Sequence, residues 1–437
     1  MEKERALRGE GDAVRIFLLV ALAYFYCSTQ RISAGVILPH MAGRYGFSAS
    51  LIGLLASLFF YTYGFTQNLW GAVSDRVGPL RSCSWGLALA GVGSLLFLVA
   101  HRPVVIGISR LVIGFGLGAM FTGIYLYAAL AFPPDRYPFW VGAIQVAGNL
   151  GTVAAVAPLG MVMDRLGYNG LFALLALVAF ALAGALYAVR DRCPPPAKRE
   201  DVGPGAPRPG GLGLWRDVRT GFGLVFGNRA VLVIVFAWTA LSAAIVTLQG
   251  LWGVSWLAVS CGIAEADARF WVTFISVGLV VGSPLGAKIT YLSGGRPGGM
   301  LAIMACITAS WLLYMFGALR GFAAPAMGGA ALLLGASSAV GMVYCTSSLK
   351  GLVPISRAGV VIGTGQILIY AAVIVCQWGS GMVLDLFPGD TAGSYRNAGY
   401  LVAFAVIALP VVLSFFSIFT VKSFRREEAQ HDIDRSL

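Results

Sequence analysis

The sequence predicts an all-α membrane protein in which twelve transmembrane helices form two pseudo-symmetric bundles of six. Of the 437 residues, 58% are apolar and 11% are charged, whereas a soluble globular chain carries roughly 25% charged residues. Apolar runs of about 18 residues or more, the length that crosses a bilayer core about 30 Å thick, recur along the whole chain. The predicted spans lie near residues 14–41, 48–73, 82–100, 104–130, 138–163, 169–189, 229–258, 268–291, 298–319, 323–349, 358–384 and 397–421.

The charged residues predict how the spans are oriented. The first twelve residues are highly charged and lead into an apolar run without a small-residue cleavage site, which indicates a retained first helix rather than a signal peptide. With both termini in the cytoplasm, the outer loops hold six of the 31 Lys and Arg residues and the inner segments hold 23. Because cytoplasmic loops carry an excess of Lys and Arg, we expect both termini to be cytoplasmic and the protein to lie in the plasma membrane, which in a bacterium is the inner membrane.

One long connection, 190–228, separates the first six predicted spans from the last six. Its first part is rich in Pro and Gly, which predicts an irregular linker. Its second part places Trp215, Val218, Phe222 and Val225 on one helical face, which indicates a short helix on the cytoplasmic surface. The predicted domains are an N-terminal bundle, a cytoplasmic linker, and a C-terminal bundle with a cytoplasmic tail. Their bounds are 1–190, 191–228 and 229–437.

The two halves of the chain repeat at an offset of 221 residues. Gly142 and Gln145 match Gly363 and Gln366, and the stretch GMVMD at 160–164 matches GMVLD at 381–385. Duplicated halves with a substrate site between them near the membrane midplane are a known transporter design.

The connection after span 2 reads GAVSDRVGPLR, residues 71–81. This resembles the GxxxDRxGxxR signature of the major facilitator superfamily of transporters. In that family the motif latches the outward-open state, so the resemblance implies a latch role for Gly71, Asp75 and Arg76. Span 4 carries a second resemblance, in which Arg110 precedes glycines at 114, 116 and 118 that favour close helix packing. The sequence leaves open whether Arg110 touches substrate.

Spans 1 and 2 carry a closer resemblance to two families, the organophosphate:phosphate antiporters and the anion:cation symporters. The residues of span 1 that carry it are Tyr24, Tyr26, Arg31 and Pro39, and span 2 adds YGFTQNLWG at 63–71. In those families the arginine of helix 1 binds the anionic group of the substrate, which is the role implied for Arg31. The chain departs from the antiporters at Gln67, where they have a lysine, and from many symporters at Gln30, where they have an acid.

Arg31 lies about 16 residues into span 1, some 24 Å along a helix with a rise of 1.5 Å per residue. Inserting an arginine at that depth costs roughly 2.5 to 3.5 kcal/mol, and such residues face a protein interior or a water path. All 19 Asp and Glu residues fall in loops, tails or span ends. We therefore expect a bound anion or water to balance Arg31. The alternative is a structural arginine that donates to backbone carbonyls.

Polar and aromatic residues from both halves are expected to complete a central substrate site around Arg31. Packing between helices is the alternative role for each of them. The candidate substrate-binding residues are Arg31, Tyr24, Gln67, Tyr125, Gln145, Asn149, Trp238, Gln249, Trp252, Gln366, Tyr370 and Gln377.

The predicted function is secondary active transport of a small organic anion, with monocarboxylates among the candidates, by alternating access. One alternative is an exporter of lipophilic or drug-like compounds, and another is a membrane receptor or sensor that does not transport. An enzyme is not expected, because the chain has no HExxH, GxSxG or Walker motif. The seven scattered cysteines show no CxxC spacing, so we expect neither a metal site nor a cofactor. The expected partners are the anionic substrate, the lipid bilayer and a coupled proton or counter-anion, without nucleic acid, and the protein is expected to be a monomer.

Overall fold

The computed structural model describes residues 2–133, 136–192, 211–293, 296–353, 355–390 and 393–421. In these ranges the chain is helical, apart from turns and one isolated β-bridge between Pro388 and Tyr395. Eleven helices within the described residues are long and apolar enough to cross a membrane, and Phe139–Ala154 is a shorter apolar helix. The predicted all-α membrane protein is therefore confirmed.

The described residues of the first half form seven α-helices. They are α1 Glu2–Ile32, α2 Ala34–Tyr45, α3 Ala49–Val77, α4 Pro79–Leu96, α5 Pro103–Ala131, α6 Tyr137–Ala154 and α7 Ala157–Ala188. Proline in the first turn starts α4 and α5, a position where the missing N–H costs no intrahelical hydrogen bond.

In the part of the second half that the structure describes, the chain forms eight α-helices. They are α8 Gly211–Gly227, α9 Arg229–Thr247, α10 Gly253–Cys261, α11 Glu265–Ser293, α12 Pro297–Arg320, α13 Ala324–Leu352, α14 Ile355–Asp385 and α15 Asn397–Ile418. The side chain of Asn228 caps α9 by accepting from the N–H groups of Ala230 and Val231.

Span 1, predicted as one helix over 14–41, is broken after Ile32. The Ser33 N–H donates to the Thr29 carbonyl at 3.0 Å, and the Ser33 hydroxyl donates to the Gln30 carbonyl at 2.8 Å. Helix α2 then begins at Ala34. The break follows Arg31 by two residues, so it affects the direction in which the Arg31 side chain leaves the helix.

Span 5, predicted as one helix over 138–163, is interrupted after Ala154, whereas the predicted boundary with span 6 at 169–189 agrees with the structure. Helix α6 ends at Ala154, and α7 begins at Ala157 with a proline in its first turn. Because proline cannot donate to the preceding turn, one predicted span becomes two helices. The predicted connection between spans 5 and 6 contains Gly167, where a φ of 68° interrupts the helical backbone and divides α7 into two helical parts. Glycine adopts a positive φ without strain.

Span 7 is also irregular. A π-helical turn, Leu248–Trp252, joins α9 to α10. The extra residue per turn shifts the helix register, so the residues before and after this turn do not keep the common face that a regular helix would give them.

The described helices form two compact units. Unit 1 comprises Met1–Ser33 and Leu58–Leu214, and unit 2 comprises Ala34–Ser57 and Trp215–Leu437. In unit 1, α4 packs on α5 and α7, and α1 packs on α6. In unit 2, α11 and α12 pack on α13, and α9 packs on α14 and α15.

The unit boundary runs through spans 1 and 2. The predicted bundles 1–190 and 229–437 meet at the linker, but the segment 34–57 groups with the C-terminal helices because α2 packs on the π-helical turn and on α10. The two-bundle division therefore stays a prediction. Helix α8 is found in the second part of the linker, where Val225 is buried and Gly221 packs against Thr364. Its position on the membrane surface stays a prediction, and 193–210 and the tail 422–437 lie outside the described residues.

Candidate substrate site

Arg31 is the penultimate residue of α1 and belongs to unit 1. Arg31 is half-buried and takes part in an interaction within the protein. Ion pairs among the described residues include Arg15–Asp12, Arg81–Asp191 and Arg190–Asp191. The substrate role of Arg31 stays a prediction.

Gln30, the neighbour of Arg31, is part of a polar network buried inside unit 1. Its Nε2 donates to the Tyr26 hydroxyl at 2.8 Å and to Ser94 Oγ at 3.1 Å. The Tyr26 hydroxyl in turn donates to the Leu175 carbonyl at 3.0 Å. These bonds tie the last turns of α1 to α4 and α7. They fix the rotation of the helix end that carries Arg31, because successive residues are about 100° apart around a helix.

Arg110 of α5 is bound at the break in span 1. Arg110 is only 2% exposed. One of its guanidinium nitrogens lies 3.5 Å from the Gln30 carbonyl oxygen, which also accepts from the Ser33 hydroxyl. The guanidinium carbon lies 5.0 Å from the centre of the Phe59 ring. Carbonyl groups at a helix end need donors from elsewhere, and a cation is favourable there. The structure therefore gives Arg110 a structural role at the carboxyl end of α1.

The other candidate residues of unit 1 lie on α1, α3, α5 and α6. The Tyr125 hydroxyl donates to Gln145 Oε1 at 2.9 Å, which joins two of them directly. The Tyr24 ring lies so close to Gly148 that it would press on a Cβ placed there. Gln67 is buried, and Asn149 is half-buried.

The candidate residues of unit 2 are mostly engaged in packing. The Gln249 amide bonds to the Ser276 hydroxyl, and Trp252 Nε1 donates to Ser380 Oγ at 2.9 Å. Trp238 packs against α14 at Gly365. These contacts support the packing alternative for Gln249 and Trp252, and a substrate role for either stays a prediction.

The remaining three candidates lie along α14. Gln366 is half-buried, Tyr370 is 8% exposed and Gln377 is 1% exposed. Within the described residues, Gln377 Oε1 has no hydrogen-bond partner.

Sequence reasoning missed three serines that bond to two candidate residues and to Gln30, the neighbour of Arg31. Ser94, Ser276 and Ser380 bond to Gln30, Gln249 and Trp252 respectively. Serine is common inside transmembrane helices, where its hydroxyl bonds to the preceding turn, so the sequence contains no signal that singles out these three.

The predicted latch motif forms the turn between α3 and α4. Asp75 and Arg76 are exposed near the end of α3, and Gly78 turns the chain with φ at 91°. A Cβ added to Gly71, the first glycine of the motif, would lie 3.8 Å from the Thr122 side chain, which is an ordinary van der Waals contact. This distance would accommodate a methyl group, so in this structure Gly71 does not mark a close helix approach. The latch role of Gly71, Asp75 and Arg76 stays a prediction.

The glycines of span 4 do mark close approaches. A Cβ on Gly114 would collide with the Phe59 carbonyl oxygen of α3, and a Cβ on Gly116 would collide with the Gly86 carbonyl oxygen of α4. The predicted close packing through these small residues is confirmed.

A sequence model of the Major Facilitator Superfamily matches residues 20–255, which is more than half of the chain. The chain belongs to the major facilitator superfamily. The predicted fold class and the resemblance of the 71–81 motif to the superfamily signature agree with this membership.

Relatives within the superfamily match a shorter part of the chain. A probable anion transporter 3 of Arabidopsis thaliana chloroplasts is 26% identical over 38% of this chain. A putative inorganic phosphate cotransporter of Drosophila melanogaster is 27% identical over 34% of it, and a voltage-gated purine nucleotide uniporter of Rattus norvegicus is 23% identical over 39%. The matched parts span 33%, 28% and 39% of these relatives' own lengths.

Solved structures of major facilitators match almost the whole chain. A bacterial homologue of the human lysosomal transporter Spinster has a TM-score of 0.69 at 12% identity, with 93% of this chain and 97% of that chain covered. The nucleoside transporter NupG has a TM-score of 0.71 at 14% identity, with 93% and 99% covered. At this identity the likeness shows the fold and not the substrate.

Proposed function

We propose that the protein is a secondary active transporter that moves a small organic anion across the membrane by alternating access, with Arg31 binding the anionic group. The observation that carries the proposal is the placement of this arginine, half-buried deep in span 1 beside a helix break. An arginine at that depth faces an interior or a water path, and the guanidinium fork matches a carboxylate or phosphate.

The relatives support a negatively charged substrate. The three described above carry names that refer to anions, inorganic phosphate and purine nucleotides. Their alignments cover only about a third of each relative, so the inference for this chain rests mainly on Arg31.

Span 7 favours a substrate with a single anionic group. Residues 230–261 of span 7 contain neither Lys, Arg nor His, so this helix offers no second cation to a doubly charged ester. A monocarboxylate is the class that we propose to test first, with a proton or a counter-anion as the coupled species. We propose no enzymatic activity.

The test is uptake into liposomes that contain the purified protein, together with ligand-induced thermal stabilisation. Monocarboxylates, phosphate esters, sugars and amino acids form the ligand panel. For the anion that stabilises the protein, we expect Arg31→Ala to weaken binding about tenfold or more, because a hydrogen bond to a charged group contributes about 1.5–3 kcal/mol. Arg31→Lys keeps the charge and should lose less.

Arg165→Ala, which removes an exposed arginine of the same unit, is the matched control and should bind and transport normally. Saturable uptake of every organic anion that is unchanged in Arg31→Ala would refute the proposal. Uptake of lipophilic cations instead would favour the exporter, and ligand binding without flux would favour a receptor.

A further inference from the structure

The amino end of α3 is capped by a side chain from the far end of the chain. Asp385, the last residue of α14, accepts from the Ala49 N–H at 2.7 Å through Oδ1 and from the Ser50 N–H at 3.0 Å through Oδ2. Ser48 Oγ accepts from the next donor, the Leu51 N–H, at 3.2 Å. The first N–H groups of a helix have no partner inside the helix. Here Asp385 satisfies two of them, and the local cap residue satisfies the third.

The backbones of α3 and α14 approach closely along this end of α3. A Cβ on Gly381 would collide with the Ala49 carbonyl oxygen, and a Cβ on Gly53 would collide with the Gln377 carbonyl oxygen. Glycine at both positions allows the two helices to meet at backbone distance. The Asp385 carboxylate is thereby placed on the positive end of the α3 dipole, where a negative charge is favourable.

Tyr395, in the connection between α14 and α15, completes this cluster. Its burial, and next the negative charge of Asp385, raise the pKa of the Tyr395 hydroxyl to about 12, while an interaction with the Ala49 backbone acts in the opposite direction. The hydroxyl therefore stays protonated at neutral pH. Among the described residues of this connection, the Gly389 N–H donates to the Ser394 carbonyl and the Arg396 N–H donates to the Phe387 carbonyl. Asp385, Tyr395 and the amino end of α3 thus form one cluster of interacting groups.

The contact lies within unit 2 and joins α3 of span 2 to α14 of span 11. The segment Ala34–Ser57 packs in unit 2, but it continues into unit 1 at both of its ends, Ser33 and Leu58. A displacement of unit 1 must therefore either bend spans 1 and 2 or separate the segment from α14. The same helix α3 carries Asp75 near its other end, about 40 Å away at 1.5 Å per residue.

We propose that Asp385 is a latch residue, which holds the amino end of α3 on α14 in one state of the transport cycle. In the alternate state, which is open to the side where α3 begins, the contact is released. The positive-inside rule predicts that this side is extracellular. The proposed latch is thus the counterpart, on the opposite side of the membrane, of the motif at 71–81. The inference rests on the alternating-access part of the proposed function and not on its anionic substrate.

The test is hydrogen–deuterium exchange of the full-length protein in lipid nanodiscs, read on peptides that cover the segment 34–57. We expect Asp385→Ala to speed exchange about tenfold across α2 and the first turns of α3, which corresponds to about 1.4 kcal/mol of lost preference for the latched state. Asp385→Asn keeps an acceptor but not the charge and should give a smaller increase. Asp390→Ala, which removes an exposed acid of the same connection, should leave exchange unchanged.

Two results would overturn the latch. An increase confined to the amides of Ala49 and Ser50 would show a static helix cap, and unchanged exchange would show that the contact does not hold the segment. Should the alanine variant fail to fold, Asp385→Asn carries the same test. Faster exchange across 34–57 in a protein that transports no organic anion would keep the latch and refute the proposed substrate.

Discussion

At the residue scale, the contacts of the buried Arg110 explain why a cation is present at this position. Its guanidinium donates to the Gln30 carbonyl and lies over the Phe59 ring. Both contacts are made beside the break that follows Arg31, so Arg110 supports the helix end from which the candidate substrate ligand extends. A cation at the carboxyl end of a helix also interacts favourably with the helix dipole.

Replacing Arg110 by Ala should therefore destabilise the protein. We expect a loss of about 1–3 kcal/mol, because a buried carbonyl loses a donor and a ring loses its cation. The measurement is thermal unfolding in detergent, and Arg110→Lys should recover part of the loss. Arg102→Ala, an exposed residue just before the same helix, is the control. A large rise in the substrate KM of Arg110→Ala without any change in Tm would instead place Arg110 in the substrate site.

At the element scale, the crossings of α5 depend on glycine. Gly116 faces Gly86 of α4, and Gly114 faces the backbone of α3 at Phe59. Helix association in a membrane has no hydrophobic driving force from water and relies on close packing. Small residues at these crossings therefore contribute directly to the stability of unit 1.

Gly116→Ala should consequently destabilise the protein even though alanine is the better helix former. We expect a cost of about 1–3 kcal/mol from overpacking, measured by thermal unfolding of the purified protein. The matched control is Gly184→Ala in α7, where an added Cβ has open space around it and where the substitution should be neutral or stabilising. Equal stability of the two variants would contradict the packing argument.

At the scale of the whole molecule, the distribution of charge predicts which way the protein lies in the membrane. The outer loops hold six of the 31 basic residues, a bias that orients membrane proteins. The orientation also assigns a side to each end of α3, and so to both the motif at 71–81 and the Asp385 contact.

Cysteine labelling tests this orientation. In a variant without native cysteines, Asp390→Cys should react with a membrane-impermeant maleimide in intact cells. Arg192→Cys should react only after the membrane is permeabilised. Both positions are exposed, so a difference in labelling reports the side of the membrane. The reverse pattern would invert the topology and would place the Asp385 contact in the cytoplasm.

The structure departs from the sequence predictions at particular residues for identifiable reasons. The prediction of span 5 as one helix missed the break beside Pro158, because a proline inside an apolar run leaves hydropathy high, whereas the predicted connection between spans 5 and 6 contains the kink at Gly167. The substrate role of Gln249 and Trp252 stays a prediction, and the structure adds that their polar groups bond to Ser276 and Ser380. Helical periodicity gives a residue's face but not its neighbour.

The sequence by itself determined that this protein is a bundle of membrane-spanning helices of the major facilitator superfamily, because apolar length, the repeat of the two halves and the 71–81 motif are all local patterns. Only the tertiary structure decided that span 1 breaks after Ile32, that Arg110 donates to the Gln30 carbonyl, and that Asp385 caps α3. These contacts join residues up to 336 positions apart. Their partners are backbone N–H and C=O groups, which every residue carries, so no pattern of side chains could reveal them.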